Sequence, residues 1–377
     1  MTQNPQTKHI VIDARIRRSG TGRYVDRLVE HLQAVDTDQH HYSVLVQPSD
    51  DWQPSSDNFK RINCDIPQFS LNLLDQIRFT LELYKLKPDL VHFPMNQQPL
   101  LFFKPVVTST LDLTMLRFTR AGKTPVPIFK LKMLAYRFLF WYSNKKSRHI
   151  ITLTKFVQKD LAKHYPFTAN KTTTTYCASE PPLPVKAKLP SFIDPKTPFL
   201  LYVGTAFPHK NLETLAKAFL VLSKQMPAIK LILVGQKEQY YEALEVKLSK
   251  IPEAKKSILI TGFVPDEELK WLYENTAAYV FPSLSEGFGL PGLEAMIHGA
   301  PVVSSNATCL PEVYKDAAEY FDPKNVEEMA DAIQKVLSDD KLRKRLIKRG
   351  NVVANSYSWR RMAEQTLDVY KEVLDKN

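Results

Sequence analysis

The sequence predicts an α/β protein of two domains, each a parallel sheet covered by helices, facing each other across a cleft. Three features carry that expectation. Strand-like and helical patterns alternate along the chain, the alternation restarts after a proline-dense stretch, and several apolar runs end directly in Gly, Ser or Pro. Repetition of this kind buries a parallel sheet on both faces. At 377 residues the chain has the length for two such domains.

In the first half, residues 9–15, 42–46, 89–93, 104–111 and 148–153 read as buried strands. Between them, 22–35, 72–86, 126–144 and 155–164 carry helical periodicity. Pro181, Pro182, Pro184, Pro190, Pro195 and Pro198 then follow at a density that suits a stiff linker. Residues 199–204, 229–235, 257–262, 278–283 and 301–305 are the strands of a second series, and a last helix near 357–375 is expected to cross back onto the first domain. The expected division is 1–185 with 357–377, and 186–356. Ligands of open parallel sheets bind beyond the carboxyl ends of the strands, so the loops there are where chemistry is sought.

Composition is that of an ordinary globular protein, 44% hydrophobic and 24% charged. Cys64, Cys177 and Cys309 lie far apart and match no zinc spacing, which argues against a disulfide framework. The first residues lack a signal-peptide core, and the apolar stretch 134–142 falls well short of the ~20 residues that span a bilayer, so a cytoplasmic location is expected. Charge is uneven. Residues 104–171 hold 14 Lys/Arg against 2 Asp/Glu, in a chain whose net charge is +11. A field of that sign attracts an anionic partner. Within it, residues 123–148 interleave aromatic and aliphatic residues with Lys and Arg, an arrangement that suits either an anionic membrane surface or a core-facing helix with a basic outer face. No recognition motif accompanies the charge, which sets nucleic acid aside.

Three segments carry candidate chemistry. In residues 281–303 a strand runs into a glycine loop, Pro291 sits where a helix begins, and Gly299 is placed to end it. The amides of Phe288, Gly289 and Leu290 would then form an anion site suited to a diphosphate, with Gly287 and Gly289 letting a ligand approach the backbone. Glu286 and Glu294 flank the loop. Glu294 fits the first helical turn on dipole grounds alone. Glu286, beside an anion site, makes sense if it meets sugar hydroxyls or a developing positive charge. In residues 202–219 a strand ends at Gly204 and a short loop carries His209, Lys210 and Asn211 into a helix; Lys210 could hold a diphosphate as a point charge, or be a solvated lysine beside an Asn cap. Residues 10–28 contain Gly20 and Gly22, but Val25 fills the third position of a dinucleotide fingerprint, leaving a flexible loop that opens a helix.

Together these segments resemble glycosyltransferase family 4, the group 1 glycosyl transferases, which are retaining enzymes of two Rossmann-like domains (the GT-B architecture). The resemblance covers nearly the whole chain. SGTGRYVDRL resembles the family's N-terminal glycine loop, YVGTAFPHKN its lysine loop, TGFVPDEEL its nucleobase loop and EGFGLPGLEAM its paired glutamates; PVVSSNATCLPEV and SWRRMAEQTL match further on.

The resemblance implies that Glu286 contacts donor-sugar hydroxyls, Glu294 the ribose hydroxyls, and Phe288, Gly289 and Leu290 the phosphates. It further implies that Thr205 and Lys210 of the lysine loop bind the donor, Lys210 neutralising the leaving diphosphate, and that Phe263 and Val264 lie against the base. Gly20 and Gly22 would line the cleft from the first domain. No metal is needed on this reading, since lysine and helix amides replace it; Asp36 and Asp38 belong to a polar turn. Many members carry a histidine before an aspartate at the end of a first-domain strand. Here Leu111 precedes Asp112, which alone remains for the catalytic position. The implied function is retaining transfer of a hexose from GDP-mannose or a UDP-sugar to a glycan or lipid-linked acceptor in cell-surface polysaccharide synthesis. The expected location is cytoplasmic or peripheral on the inner face of the plasma membrane, through residues 104–171. The alternative is a catalytically silent relative that binds sugar nucleotide or glycan as a partner subunit. A nicotinamide oxidoreductase or a sugar-nucleotide epimerase would share the architecture, but the first lacks a complete fingerprint and the second fits the paired glutamates less well.

Overall fold

A computed structural model describes residues 7–17, 22–68, 70, 72–118 and 125–376. The chain divides into two compact units. One runs to Cys177 and resumes at Ser358; the other is Ala178–Tyr357.

The first unit is built on β1 (Lys8–Asp13), β2 (His40–Val46), β3 (Phe59–Asn63), β4 (Leu90–Phe93), β5 (Val106–Thr110), β6 (His149–Thr152) and β7 (Thr172–Thr174). These form one sheet in the order β3-β2-β1-β4-β5-β6-β7, with every pairing parallel. The central strands are buried throughout, as a sheet covered on both faces requires. Helix Leu73–Lys85 covers one face, where Phe79 and Leu83 pack with Val11, Val91, Phe93 and Phe102.

Helix Trp359–Asp375 belongs to this unit despite its place at the chain's end. Ser358 caps it by accepting from the Arg361 amide, and its buried stripe meets helix Gly22–Val35. A buried polar chain fixes that packing. His92 on β4 bonds Tyr370 Oη of the last helix at 2.6 Å and Ser109 Oγ on β5 at 2.8 Å, and Ser109 Oγ meets Tyr24 Oη at 2.8 Å. Burial pushes the His92 pKa down to about 3, so the ring is neutral and donates from one nitrogen while accepting at the other.

The second unit contains β8 (Phe199–Val203), β9 (Lys230–Val234), β10 (Ile258–Gly262), β11 (Ala278–Phe281), β12 (Val302–Ser305) and β13 (Ala318–Phe321), all parallel, in the order β10-β9-β8-β11-β12-β13. β3, β7 and β13 were not read from the sequence. Each is an edge strand, paired on one side only, and none needs the continuous apolar run that marks an interior strand.

The proline-dense stretch departs from the linker expectation, because it is strapped onto the second unit. Lys270 Nζ donates to the carbonyls of Leu183 and Val185 at 3.0 and 2.9 Å, and the Lys188 amide donates to Glu267 O at 2.9 Å. The Leu183 amide donates to His298 Nε2, whose Nδ1–H in turn donates to Glu294 O. Proline cannot satisfy such bonds through its own nitrogen, so the neighbouring residues make them.

The core-facing alternative for the basic segment does not hold along its length. Helix Val126–Lys146 buries only Phe140, Ser143 and Asn144 fully, while Leu131, Leu134 and Phe138 are 68%, 66% and 49% exposed. Among the described residues no helix is long and apolar enough to cross a membrane.

Candidate donor site at the strand-order reversal of the second unit

In the second unit the strand order reverses between β8 and β11. The loops that leave the carboxyl ends of those two strands part in opposite directions, and the crevice between them is the usual ligand site of an open parallel sheet. The Lys210 loop follows β8 and the Glu286 loop follows β11. They are stitched together by the Leu284 amide donating to His209 O at 2.7 Å and by Asn211 Nδ2 donating to Pro282 O at 3.1 Å. Asn211 sits at φ 62°, a left-handed conformation that asparagine tolerates, and starts helix Leu212–Ser223.

Lys210 Nζ and Glu286 Oε1 are 2.6 Å apart, with side chains only 15% and 12% exposed. The ammonium also lies 5.6 Å from the centre of the Phe281 ring. His209, stacked on Phe207, is held neutral: burial and then the neighbouring Lys210 charge lower its pKa to about 4, against a smaller opposing effect of Glu286. Lys210 and Glu286 are therefore already paired with each other.

The backbone of Glu286 is clamped from below. Its amide donates to Thr308 Oγ1 at 3.2 Å, and its carbonyl accepts from the Cys309 thiol at 3.3 Å. Thr308 is held at φ 56°, a costly conformation for a β-branched residue, next to this contact. Burial pushes the Cys309 thiol well up, so it stays a neutral donor.

Helix Leu290–Ile297 begins at Gly289, which adopts φ 96° as its N-cap, and Gly299 at φ 81° turns the chain away after its end. The buried Tyr314 hydroxyl donates to Gly289 O at 2.5 Å. A Cβ on Gly289 would meet that oxygen at 2.6 Å, and one on Gly292 at 2.3 Å. The glycines thus admit the tyrosine beneath the loop. Glu294 lies one residue further into the helix than expected, because the helix starts at Leu290 rather than Pro291, and so falls just past the first turn; the first-turn dipole argument does not account for it. Its side chain is half-buried.

Of the residues expected at the base, Phe263 is 81% exposed and Val264 is buried at 5%, so the phenyl ring is the available surface. Thr205 is exposed, and its carbonyl accepts from Tyr202 Oη. In the first unit, Gly22 opens helix Gly22–Val35 where a Cβ would lie 2.6 Å from Ile16 O. Gly20 lies outside the described residues. Asp112 Oδ1 accepts from the Thr114 amide at 2.8 Å, just ahead of the short helix Thr114–Arg117, with Leu111 half-buried before it. The structure brings Lys210, Glu286, Phe288, Gly289 and Leu290 together in the second unit. Thr308, Cys309 and Tyr314 complete their support, inside or just after the segment PVVSSNATCLPEV, whose roles were not legible beforehand.

Residues 186–352 match the family described as glycosyl transferases group 1, and residues 18–179 match glycosyltransferase family 4. The chain belongs to these glycosyltransferases. Among curated relatives of this family member, O-antigen chain mannosyltransferase B of Escherichia coli is 32% identical over 59% of this chain and 60% of its own length. O-antigen chain mannosyltransferase RfbU of Salmonella typhimurium is 30% identical over 54% of this chain and 58% of its own. The matches thus span less than two thirds of either relative. The sucrose-phosphate synthase structure from Thermosynechococcus elongatus superposes with a TM-score of 0.75 at 18% identity, over 98% of this chain and 100% of that one. The Anabaena HepE structure in complex with UDP and glucose gives 0.70 at 15%, over 97% and 100%. These agreements concern the fold: two parallel-sheet Rossmann-like units of the GT-B class.

Proposed function

We propose that the protein is a retaining hexosyltransferase that takes a sugar from a nucleoside diphosphate donor, GDP-mannose before UDP-sugars, and passes it to a glycan or lipid-linked acceptor in surface-polysaccharide synthesis. The observation that carries this is the Lys210–Glu286 pair at the strand-order reversal, beside a glycine-capped helix N-terminus. The mannosyltransferase relatives support the sugar, and the UDP and glucose in the HepE title support a nucleotide-sugar donor.

On this reading the donor diphosphate takes Lys210 from Glu286, while the amides of Phe288, Gly289 and Leu290 take the phosphate oxygens. Glu286 is then free to accept from sugar hydroxyls. The bond from the anomeric carbon to phosphate breaks with its electrons going to the diphosphate, where Lys210 offsets the new charge. The acceptor oxygen bonds the anomeric carbon on the same face, and its proton passes to the departing phosphate. Leu111 cannot take that proton, which is why the phosphate is assigned it. Glu294 is proposed to hold the ribose, Phe263 to face the base, and Asp112 to act in catalysis. No metal takes part in this scheme.

The test is transfer of labelled mannose from GDP-mannose, and of hexose from UDP-sugars, into lipid-linked glycan of bacterial membranes. Transfer that survives EDTA and is nearly abolished in Glu286→Ala and Lys210→Ala, both folded, is the expected result. Nucleotide-sugar binding without transfer or donor hydrolysis would instead establish the silent partner subunit, the reading that Leu111 favours.

The acceptor is proposed to be met at an anionic membrane face. Leu131, Leu134 and Phe138 project from a helix in the strongly basic segment, and Leu73, Leu74 and Leu81 add exposed apolar surface on helix Leu73–Lys85. Flotation with vesicles containing phosphatidylglycerol, and not with neutral ones, is expected; equal binding to both, or to neither, removes this part.

A further inference from the structure

The loop that carries Glu286 is held by one segment, residues 308–314, which follows β12 and includes the short helix Leu310–Tyr314. Thr308 and Cys309 bond one end of the loop, at Glu286, and Tyr314 bonds the other, at Gly289 O. The proposed chemistry uses the Glu286 side chain, and what aims a side chain is its backbone.

The contacts at that backbone close into a ring. The Glu286 amide donates to Thr308 Oγ1 at 3.2 Å. That hydroxyl, having accepted, gives its own proton to the neighbouring Cys309 sulfur. The Cys309 thiol in turn donates to the Glu286 carbonyl at 3.3 Å. The N–H lies in the rigid peptide plane before the Glu286 Cα and the C=O in the plane after it. Fixing both planes fixes φ and ψ of Glu286, and with them the direction of its side chain. Glu286 Oε1 then meets Lys210 Nζ at 2.6 Å, with both side chains largely buried.

Thr308 holds this geometry under strain. Its φ of 56° lies in the left-handed region that a β-branched residue resists. Glycine would adopt that conformation freely, but it has no oxygen to offer the amide. Bonds on both sides keep the strained residue in place. The Asn306 amide donates to Phe321 O at 2.9 Å, the Ala307 amide to Ser305 Oγ at 3.0 Å, and the Leu310 amide to Ala307 O at 3.3 Å. Strain retained beside a carboxylate assigned to the donor points to function rather than stability.

We infer that Thr308 is a positioning residue: its hydroxyl, closed through Cys309, sets the backbone of Glu286 so that the carboxylate meets the donor sugar in the reacting geometry. This rests on the role proposed for Glu286, whereas the clamp itself is testable apart from it.

Thr308→Gly removes the hydroxyl and relieves the backbone together. The melting temperature of the second unit should move by no more than about 3 °C, because relieved strain offsets the lost hydrogen bond. With GDP-mannose or UDP-glucose as donor, kcat should fall on the order of tenfold while the donor KM stays within about twofold, since the diphosphate contacts are untouched. Thr308→Ser, which keeps the oxygen, should restore kcat to within about threefold. Hydrogen exchange over residues 284–288 should show one amide exchanging on the order of tenfold faster in Thr308→Gly and not in Thr308→Ser, whether or not sugar is transferred. Unchanged exchange in Thr308→Gly, or Thr308→Ser as impaired as Thr308→Gly, overturns the clamp. A loss of kcat matched by the donor KM and by melting overturns the positioning role, as does full turnover in Thr308→Gly beside an inactive Glu286→Gln. Full turnover in Glu286→Gln, or no transfer by the unaltered protein, defeats instead the role of Glu286, and faster exchange in Thr308→Gly then still establishes the clamp.

Discussion

Replacing Gly289 by alanine tests the packing of the loop that opens helix Leu290–Ile297. The residue stands at φ 96°, where an L side chain costs about 1–2 kcal/mol. Its new methyl would meet Tyr314 Oη at 2.6 Å and Leu310 Cδ2 at 2.7 Å. Neither neighbour has room to retreat, since both are 0% exposed, and overpacking of this kind adds about 1–3 kcal/mol. The sum is about 2–5 kcal/mol, and a unit of this size shifts its melting temperature by about 2–4 °C for each. Calorimetry should therefore show the second unit's transition lowered by on the order of 4–20 °C. Gly299→Ala is the control: its φ of 81° carries the same backbone cost, yet nothing lies within 4 Å of its Cβ. Gly289→Ala combined with Tyr314→Phe should cost less than the sum of the two alone, because the closest clash is with the hydroxyl. A Gly289→Ala protein that melts no lower than Gly299→Ala would refute the packing argument.

Two histidines set an acid limit. His92 has its pKa pushed down to about 3 and His209 to about 4, both from an ordinary 6.5. Their stabilising effect is complete above pH 6.5 and is lost as pH falls towards those values, because only the unfolded chain takes up the protons. Each should cost about 2 kcal/mol at pH 5 relative to pH 7, and His92→Gln should flatten the pH dependence of urea denaturation in the first unit. Lys270→Ala frees the carbonyls of Leu183 and Val185, so cleavage by protease near residues 183–188 should accelerate severalfold while the melting temperature of the first unit stays put. Phe263→Ala should weaken donor binding about three- to tenfold without a change in stability, since the ring is exposed and touches the proposed base.

Much of the fold was legible because interior parallel strands carry an unmistakable signal. KLILV and AYVF are buried at nearly every position, and such runs, ending in Gly or Pro, give both the element and the loop that follows. What escaped had no such signal. Thr172–Thr174 pairs along one edge and needs no apolar face. The proline stretch misled because prolines report only what the backbone avoids, whereas its docking depends on Lys270 and His298, some eighty to over a hundred residues away.

The donor loops show the same division. Gly289 stood out from local sequence, as a glycine before a proline-started helix, whereas Lys210 taken alone read equally as a solvated lysine beside an Asn cap and was singled out by the family resemblance. Tyr314 and Thr308 did not, because their contribution is to reach Gly289 O and the Glu286 amide from the next strand-helix unit.

The account turns on Lys210 exchanging the carboxylate of Glu286 for a donor diphosphate. Isothermal titration of GDP-mannose and a panel of UDP-sugars into the unaltered protein and Lys210→Ala addresses that directly. The account predicts binding of one donor class, weakened at least tenfold in Lys210→Ala, with the nucleoside monophosphate bound alike by both proteins. Equal affinity of the two proteins for every diphosphate donor would contradict it.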